Sequence, residues 1–309
     1  MNTPETETII ITEDEAGQRL DKILANRFKE VRSRTYFQSL IRDHNVLLNG
    51  SPIKKQVKPQ VGDEVEILFV LTPEIDVTPE PIPLDVLYED EDILVVNKPS
   101  GMVVHPAPGN WSGTFVNALL YHCKQLPSDS QHLRPGIVHR LDKETSGVLV
   151  SAKTSQAQQR LVEMFASREV YKEYLAICLG DPGEGEINLP IGRHPKQRQR
   201  MTVLDSGGRN ARTIFRTLAS DGTLSLVDII LATGRTHQIR VHMQHHGTPV
   251  LGDSTYGNIQ ANKKFKVTRQ LLHARKIRFT HPITKREMEF VAEIPSDMAT
   301  FIQRLEFMS

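Results

Sequence analysis

A proline-rich, acidic segment divides this chain and limits how it can fold. The segment TPEIDVTPEPIPLD, residues 72–85, contains four prolines and no lysine or arginine. Proline fixes φ and lacks a backbone N–H, so neither a helix nor a central strand continues through such a run. We therefore predict an extended linker over 72–85, with a separately folded unit on each side. A chain of 309 residues is long enough for two such units.

The residues before the linker predict a flexible tail and a small α+β module. Residues 1–15 are polar and acidic, which favours a flexible tail. In the module, residues 16–71, apolar side chains recur at helical spacing, first after Gln18 and again after Ser33, a suitable N-cap. Asn49-Gly50 indicates a hairpin, and EVEILFV (64–70) alternates as a strand does.

The N-terminal module is locally basic although the whole chain has a net charge of only +1. Between Gly17 and Leu71 there are ten Lys or Arg and six Asp or Glu. Such an excess is typical of a surface that contacts RNA phosphates, and also of ordinary solvated helices. The candidate RNA-binding residues of this module are Arg19, Arg34, Lys54 and Lys55.

The unit after the linker, residues 86–309, contains more predicted strands than helices. Strands are predicted over 92–101, 146–153, 170–180 and 224–234, and a helix over 156–166. Strands and helices do not alternate regularly, and no glycine-rich dinucleotide fingerprint is present. We expect an α+β fold on a largely antiparallel or mixed sheet.

Composition excludes several classes of protein. The two cysteines, Cys123 and Cys178, are far apart and form no CxxC pattern, which argues against a disulfide framework or a zinc ribbon. The N-terminus lacks the features of a signal peptide, and no apolar run approaches the ~20 residues of a membrane helix. We expect a cytoplasmic protein with no membrane partner, and a monomer by default.

The stretch PGIVHRLDKETSGVLV (135–150) places Asp142 between Arg140 and Lys143, ahead of an apolar strand. An acid beside an arginine is usually a surface charge pair of little energetic value. A loop that leads into a buried strand is also where functional side chains are often presented, and neighbouring cations keep a carboxylate ionised. Taken alone, this stretch leaves both interpretations open.

Other segments also carry candidate functional groups. GRTHQIRVHMQHHG (234–247) predicts a short helix on which His237 and Arg240 share a face, so that Arg240 is able to reach an acid in a cleft. Its crowded histidines raise the alternative of a metal site, but they lack the HExxH pattern and no acid lies among them. The histidines meant are His237, His242, His245 and His246.

A tyrosine motif and a basic loop complete the candidates. On a strand over YKEY (171–174), Lys172 and Tyr174 face one way, and Tyr174 is either a core aromatic or a surface on which a base stacks. The loop IGRHPKQRQRM (191–201) is rich in cations and has no acid, so Arg193 and Lys196 are candidates for an anion-binding flap.

Taken together, these segments resemble the RluA-type pseudouridine synthases. HRLDKETSG (139–147) is similar to the family's catalytic signature HRLDxxTSG, and four further segments agree with the family in order along the chain: VVNKPSGMVVHPAPGN, YKEYLA, TGRTHQIRVHM and LLHARKIRFTHP. The resemblance covers roughly residues 86 to 295, and the N-terminal module resembles an S4 RNA-binding domain. IGRHPKQRQRMTV and GNWSGTFVNALL are similar to the RluD-like branch, which acts on large-subunit ribosomal RNA.

The resemblance implies a fold, a reaction and roles for particular residues. It implies a pseudouridine synthase catalytic domain that needs no cofactor and no metal. Asp142 is expected to be the catalytic aspartate, Tyr174 to pack on the uracil and assist proton removal at C5, and Arg240 to pair with Asp142. Arg140 is expected to fill the gap that the flipped uridine leaves in the RNA stack. Whether Asp142 attacks C1′ or removes the C2′ proton is left open.

Overall fold

The computed structural model describes residues 5–28, 34–54, 56–69, 77–106, 110, 112–123, 136–197 and 200–306. The chain forms two compact units, divided after residue 76. Among the helices in these ranges, none is both long and apolar enough to cross a membrane.

The first unit packs two helices on a small antiparallel sheet. Its elements are β1 (Glu5–Ile10), α1 (Leu20–Arg27), α2 (Arg34–Arg42), β2 (Val46–Leu48), β3 (Ser51–Pro52) and β4 (Glu64–Phe69), and the strand order is β1-β4-β2-β3. Asn49 and Gly50 both have positive φ, 49° and 74°, as the predicted hairpin turn requires. The core contains the apolar residues of both helices, among them Leu24, Phe37 and Ile41.

Strand β1 shows that the flexible tail predicted over 1–15 is wrong for residues 5–15, while residues 1–4 lie outside the described residues. Residues Glu5–Ile10 pair along their length with β4, and Ile9 and Ile11 are buried in the core of the unit. Glu15 is also fixed, because its carboxylate accepts two hydrogen bonds of 2.6 Å from Arg27. The acidic and threonine residues of ETET occupy an edge strand, where polar side chains face solvent and the backbone supplies the pairing.

The second unit is built on a nine-stranded mixed sheet. Its elements are β5 (Val86–Glu89), β6 (Ile93–Lys98), α3 (Phe115–His122), β7 (Ser146–Ala152), α4 (Ser155–Ser167), β8 (Tyr171–Leu179), β9 (Glu184–Asn188), β10 (Ile191–Arg193), β11 (Met201–Val203), β12 (Arg212–Ser220), β13 (Leu224–Leu231), α5 (Gln238–His245), α6 (Ile259–Lys264), β14 (Leu272–Thr280), β15 (Glu287–Val291) and α7 (Ser296–Glu306). The strand order is β5-β6-β7-β14-β8-β13-β12-β9, and β15 pairs with β14. Strands β10 and β11 form a separate hairpin. The α+β fold with a largely antiparallel, mixed sheet is confirmed.

The parallel pairing of β7 with β14 places the HRLD segment at the middle of the sheet. The register joins Ser146 to His273 and Gly147 to Ala274. Gly147 has a φ of +115°, and a Cβ there would lie 2.2 Å from the carbonyl oxygen of Ala274. Only glycine permits both this backbone conformation and this approach, so the glycine of the TSG sequence fixes where the preceding loop lies.

The predicted linker is shorter than expected on its C-terminal side, because residues 77–85 belong to the second unit. Asn117 donates a hydrogen bond to the carbonyl of Thr78, and its own carbonyl accepts one from the amide of Glu80. Leu84 packs against the core. Helix and strand are absent from 77–85, as the prolines predict, but the chain is tied down by these contacts and the unit begins at Val77 rather than residue 86.

Candidate active site

A cavity of about 450 Å³ opens in the second unit beside the ends of β8, β13 and β14. This volume lies within the ~300–1,000 Å³ that is usual for ligand pockets. The loop before β7 supplies Asp142, β8 supplies Tyr174, and the start of α5 supplies Arg240. The three residues to which the sequence assigns catalysis therefore line one cavity, although up to 98 positions separate them along the chain.

Hydrogen bonds fix the backbone of the loop that carries Asp142. Its carbonyl accepts a hydrogen bond from the amide of Thr145, and the carbonyl of Lys143 accepts one from Gly101. The buried ammonium of Lys98 donates to the carbonyls of Pro99, Met102 and Lys143. Burial lowers the pKa of Lys98 to about 7, while Glu144 and Asp142 act to raise it. Lys98 thus joins the loop of its own NKPSG segment to the loop that carries Asp142.

Arg240 joins Asp142 to a second, fully buried carboxylate. Its Nη1 donates to Asp142 Oδ2 at 2.9 Å, so the pairing expected from the sequence is present in the structure. Its Nε and Nη2 donate to the two oxygens of Asp253 at 2.7 and 3.0 Å. Such a bidentate pair fixes both the position and the plane of the guanidinium. The Arg240 side chain is only 7% exposed.

Asp253 is the residue of this site that the sequence analysis missed. It accepts hydrogen bonds from the backbone amides of Thr255 and Tyr256 as well as from Arg240. Burial acts to raise the pKa of Asp253, but these hydrogen bonds and the charge of Arg240 lower it overall, so the carboxylate is ionised. The available signal was an acid in the turn LGDSTYG, which is unremarkable because acids are common in turns.

Tyr174 lies buried on β8 and faces the cavity with Lys172, as the strand alternation predicts. On the opposite side of the same strand, the Tyr171 hydroxyl donates to Glu173. Burial raises the pKa of Tyr174, and the negative charge of Asp142 raises it further. The resting phenol is therefore neutral.

The crowded histidines around α5 do not converge on one point. His237 has φ +58° and shares a hydrogen bond between its Nδ1 and the Tyr256 hydroxyl. Its Nε2 lies 3.9 Å from Asp142 Oδ1, too far for a direct hydrogen bond. His242 instead contacts the Thr213 hydroxyl and the carbonyl of Leu189. Burial lowers the pKa of both histidines, which keeps them neutral.

A metal-capable group elsewhere in the described residues has a structural explanation. Asp90, Asp92 and His281 lie close enough to share an ion. His281 Nδ1 is near the amides of Ile283 and Thr284 and accepts from both, so its proton is on Nε2, which donates to Asp90 at 2.9 Å. The histidine thereby ties two turns together, and its nitrogens are already occupied.

His139 and Arg140 have separate tasks although they are adjacent. His139 Nε2 accepts from the Val150 amide at 2.9 Å, and its ring stacks on Phe165 at 4.5 Å. Burial and the charge of Lys172 lower the pKa of His139 to about 3, so it is a neutral structural residue. Arg140 is exposed at the cavity and stays available to a ligand.

Two of the candidate RNA-binding residues of the first unit pair with an acid. Arg19 and Arg34 both pair with the fully buried Asp21, at 2.9 and 3.1 Å. Burial acts to raise the pKa of Asp21, but hydrogen bonds from Arg19, Arg34 and Gln38 hold this pKa at about 2. Both arginines remain partly exposed, 36% and 47%, so they organise the helices and still face solvent.

The remaining candidates are surface lysines and the basic hairpin. Lys54 is exposed, and Lys55 lies outside the described residues. Arg193 ends β10 and Lys196 follows it, both exposed. Arg200 holds the β10–β11 hairpin against the turn that follows Asp253, because it donates to the carbonyl of Thr255 and lies over the Tyr256 ring.

Comparisons with known proteins found relatives of both units. Residues 92–245 match the family "RNA pseudouridylate synthase" and residues 18–65 match the S4 domain. The chain is 44% identical to an RNA pseudouridine synthase of Bacillus subtilis, YlyB, over 96% of this chain and 97% of the relative. It is 42% identical to the ribosomal large subunit pseudouridine synthase D of Escherichia coli K12, over 96% and 93%. Human RNA pseudouridylate synthase domain containing 4 is similar in structure, with a TM-score of 0.56 and 26% identity over 72% of this chain and 92% of that one.

Proposed function

The chain belongs to the RNA pseudouridylate synthase family, and on this premise we propose that it isomerises specific uridines of large-subunit ribosomal RNA, with Asp142 as the catalytic carboxylate. The observation that carries the assignment of the site is the 2.9 Å hydrogen bond from Arg240 to Asp142 in a cavity that Tyr174 also lines. Pseudouridine forms when the N1–C1′ bond breaks, the uracil turns and C5 joins C1′. No electrons are gained or lost.

Asp142 has the exposure that this chemistry needs. Its side chain is 18% exposed, so one face is held by Arg240 while the other is open to the cavity. Attack on C1′ and removal of the C2′ proton both require the ionised carboxylate. Arg240 holds the carboxylate by a charge-assisted hydrogen bond and fixes its direction.

Tyr174 is proposed to pack on the uracil as a neutral phenol. Because burial and Asp142 both raise its pKa, it does not supply a tyrosinate base in the resting site. Its assistance in proton removal at C5 is then as a hydrogen-bonding partner that passes the proton on to Asp142. Aromatic packing also excludes water from the separated uracil and sugar.

Arg140 is proposed to occupy the space that the flipped uridine leaves. Flipping costs a few kcal/mol of stacking, which a planar guanidinium inserted in the stack partly offsets. Its exposure next to Asp142 in the chain is consistent with this task. The His139–Phe165 stack fixes the backbone from which Arg140 projects.

The proposed substrate class rests on the relatives and on the S4 domain. Relatives that cover 96% of this chain bear the name ribosomal large subunit pseudouridine synthase D. The candidate RNA contacts outside the cavity are Arg19, Arg34, Lys54, Lys55, Arg193 and Lys196. We also propose a cytoplasmic location, where such RNA is available in bacteria, while the monomeric state stays a prediction.

The test is to map pseudouridine on ribosomal RNA incubated with the purified protein. Carbodiimide-dependent stops of reverse transcriptase should appear at a small set of uridines, and Asp142→Asn should abolish them while RNA affinity is retained. Arg216→Gln, an exposed charge change outside the cavity, serves as the matched control and should leave the stops intact. RNA binding without any new stop would instead identify a non-catalytic RNA-binding protein on the same fold.

A further inference from the structure

Among the described residues, the cavity of Asp142 is lined by six cations and by a single acid, Asp142 itself. The cations are Arg140, Arg168, Lys172, Arg209, Arg235 and Arg240. Arg240 is paired with Asp142, and Arg140 is proposed to occupy the space that the flipped uridine leaves. Three of the others come from separate elements: Arg168 caps α4, Lys172 lies on β8, and Arg235 follows β13. We call these three residues the cation triad.

The cation triad has no carboxylate partner among the described residues. None of its members forms an ion pair there, whereas Arg212, Arg269 and Arg304 of the same unit each pair with an acid. Arg235 Nε donates to the carbonyl of Asn210 at 3.0 Å, and its two terminal nitrogens donate to no other described residue, which leaves them for a ligand. Lys172 Nζ lies 6.0 Å from the centre of the Phe165 ring.

Burial, together with repulsion between the members of the triad, lowers the pKa of Lys172 and of Arg235. Burial lowers the pKa of Lys172 to about 8, and the charges of Arg235 and Arg168 contribute to the decrease. The pKa of Arg235 is lowered by burial, then by Arg209 and Arg168. Like charges that are gathered without an acid raise the free energy of the empty site, and a bound anion removes this cost.

We propose that Arg168, Lys172 and Arg235 bind one backbone phosphodiester of the RNA beside the target nucleotide. The inference rests on the proposed function and adds to it the ligand of these three residues. An arginine matches two phosphate oxygens through its planar fork, and a lysine supplies a point charge. RNA is the anion that reaches this cavity when a uridine enters it.

The consequence of the contact is positional. A phosphodiester held by the triad is one bond away from the ribose, so it limits where C1′ lies relative to Asp142. Orientation of this kind lowers the barrier without a new chemical group. The triad is therefore expected to affect RNA affinity and KM first, and the chemical step less.

The experiment measures RNA binding and turnover separately in the full-length protein. Binding is measured in the Asp142→Asn background with Lys172→Met or Arg235→Gln added, between 50 and 200 mM salt, where each lost phosphate contact lowers the slope of log affinity against log salt by ~0.7–0.9. Each triad variant removes one of the three cations on that phosphate, so it should lower the slope by up to this amount and bind about tenfold more weakly at the lowest salt. Arg286→Gln removes one exposed charge of the same unit outside the cavity and should retain the parent slope.

A second arm locates the phosphate. RNAs with a single neutral methylphosphonate at successive linkages around the modified uridine should show one linkage at which the parent loses affinity. At that linkage the Lys172→Met variant should lose less affinity than the parent, because one of the three partners of the phosphate is already gone. A salt slope equal to the parent's, an Arg286→Gln effect of the same size, or an unchanged methylphosphonate profile in the variants would each overturn the proposal.

The two arms also keep this proposal apart from the proposed function. RNA that the wild-type protein binds but never isomerises contradicts the proposed function, while the salt slopes still test the triad. Turnover with no effect of the triad variants contradicts only the phosphodiester site. Thermal unfolding of each variant shows whether a weaker affinity comes from loss of folded protein, and Arg235→Lys, which retains the charge, should recover part of the affinity.

Discussion

Replacing the buried acid behind Arg240 should reduce both stability and turnover, although Asp253 is not expected to touch the substrate. Asp253 accepts four hydrogen bonds: two from Arg240, at 2.7 and 3.0 Å, and one each from the amides of Thr255 and Tyr256, at 2.8 and 2.9 Å. Asp253→Asn keeps one oxygen for the turn but directs an amide N–H₂ at the guanidinium. A donor then faces a donor, and the Arg240 charge retains only Asp142 as its acid.

The magnitude follows from the burial of the pair. Both side chains are nearly inaccessible, 7% and 0% exposed, and removing one partner of a buried ion pair costs about 3–5 kcal/mol. One kcal/mol lowers the melting temperature of a unit of this size by roughly 2–4 °C, so a decrease of roughly 6–20 °C is expected. Turnover should fall by about 10²-fold, because a displacement of Arg240 by ~1 Å misdirects Asp142.

The assay compares Asp253→Asn with Glu186→Gln in thermal unfolding and in single-turnover pseudouridine formation. Glu186 also receives two hydrogen bonds from an arginine, Arg212, but both side chains are nearly half exposed, 45% and 48%, so that change should cost at most about 1 kcal/mol. The double variant Arg240→Met, Asp253→Asn should be less destabilised than the sum of its single changes, because the buried Arg240–Asp253 pair is then removed as a whole and neither buried member keeps an unpaired charge.

Two results would refute this reasoning. One is an Asp253→Asn protein that is as stable as Glu186→Gln. The other is turnover within twofold of wild type, which would mean that Asp253 does not position the Arg240–Asp142 pair.

Three further predictions concern the framework of the site. Gly147→Ala should cost at least about 2 kcal/mol in urea unfolding, since its Cβ would lie 2.2 Å from the Ala274 oxygen at φ +115°, and a loss under 1 kcal/mol would contradict the close approach. Burial holds the pKa of His139 at about 3 and that of His273 at about 4, below the ordinary 6.5. Both neutral histidines therefore contribute fully to the stability of the folded state above pH 6.5. That contribution is lost as the pH falls towards the folded-state pKa values. Unfolding measured from pH 7 to 4.5 should show stability decreasing by up to about 1.4 kcal/mol per pH unit for each histidine, and a flat profile would be inconsistent with neutral buried rings. Lys98→Met should lower stability by about 2–4 kcal/mol because three carbonyls lose their donor, and it should reduce turnover more than RNA affinity; equal stability of this variant and the wild type would show that the loops do not depend on the ammonium.

Local patterns in the sequence predicted most of the individual elements. The alternation of YKEY placed Lys172 and Tyr174 on one side of β8, and the spacing from Gln156 to Ala166 predicted the helix found at Ser155–Ser167. These predictions succeed because side-chain direction within a strand or a helix repeats over a few residues. Strand β1 was missed because its buried residues lie only at its end and beyond it, at Ile9 and Ile11, so the preceding polar residues hid the pattern.

The order of the motifs along the chain determined the family and the fold class. It also identified Asp142, Tyr174 and Arg240 as residues of one site, although the spacing between them along the chain does not indicate that they are close in space. The contact between Arg240 and Asp142 spans 98 residues, and only a resemblance that covers the whole unit predicts it.

The tertiary structure alone decided which charges are paired and which are free. In the sequence, Asp253 is an acid in a turn and Lys98 is a cation at the end of a strand, yet both are buried and hold the active-site loops. Arg19 and Arg34 read as RNA-binding cations, but they share the buried Asp21. Arg168, Lys172 and Arg235 instead pair with no acid in the part of the chain that the structure describes. The energy of a charge depends on burial and on neighbours within a few ångströms, and those neighbours come from distant parts of the chain.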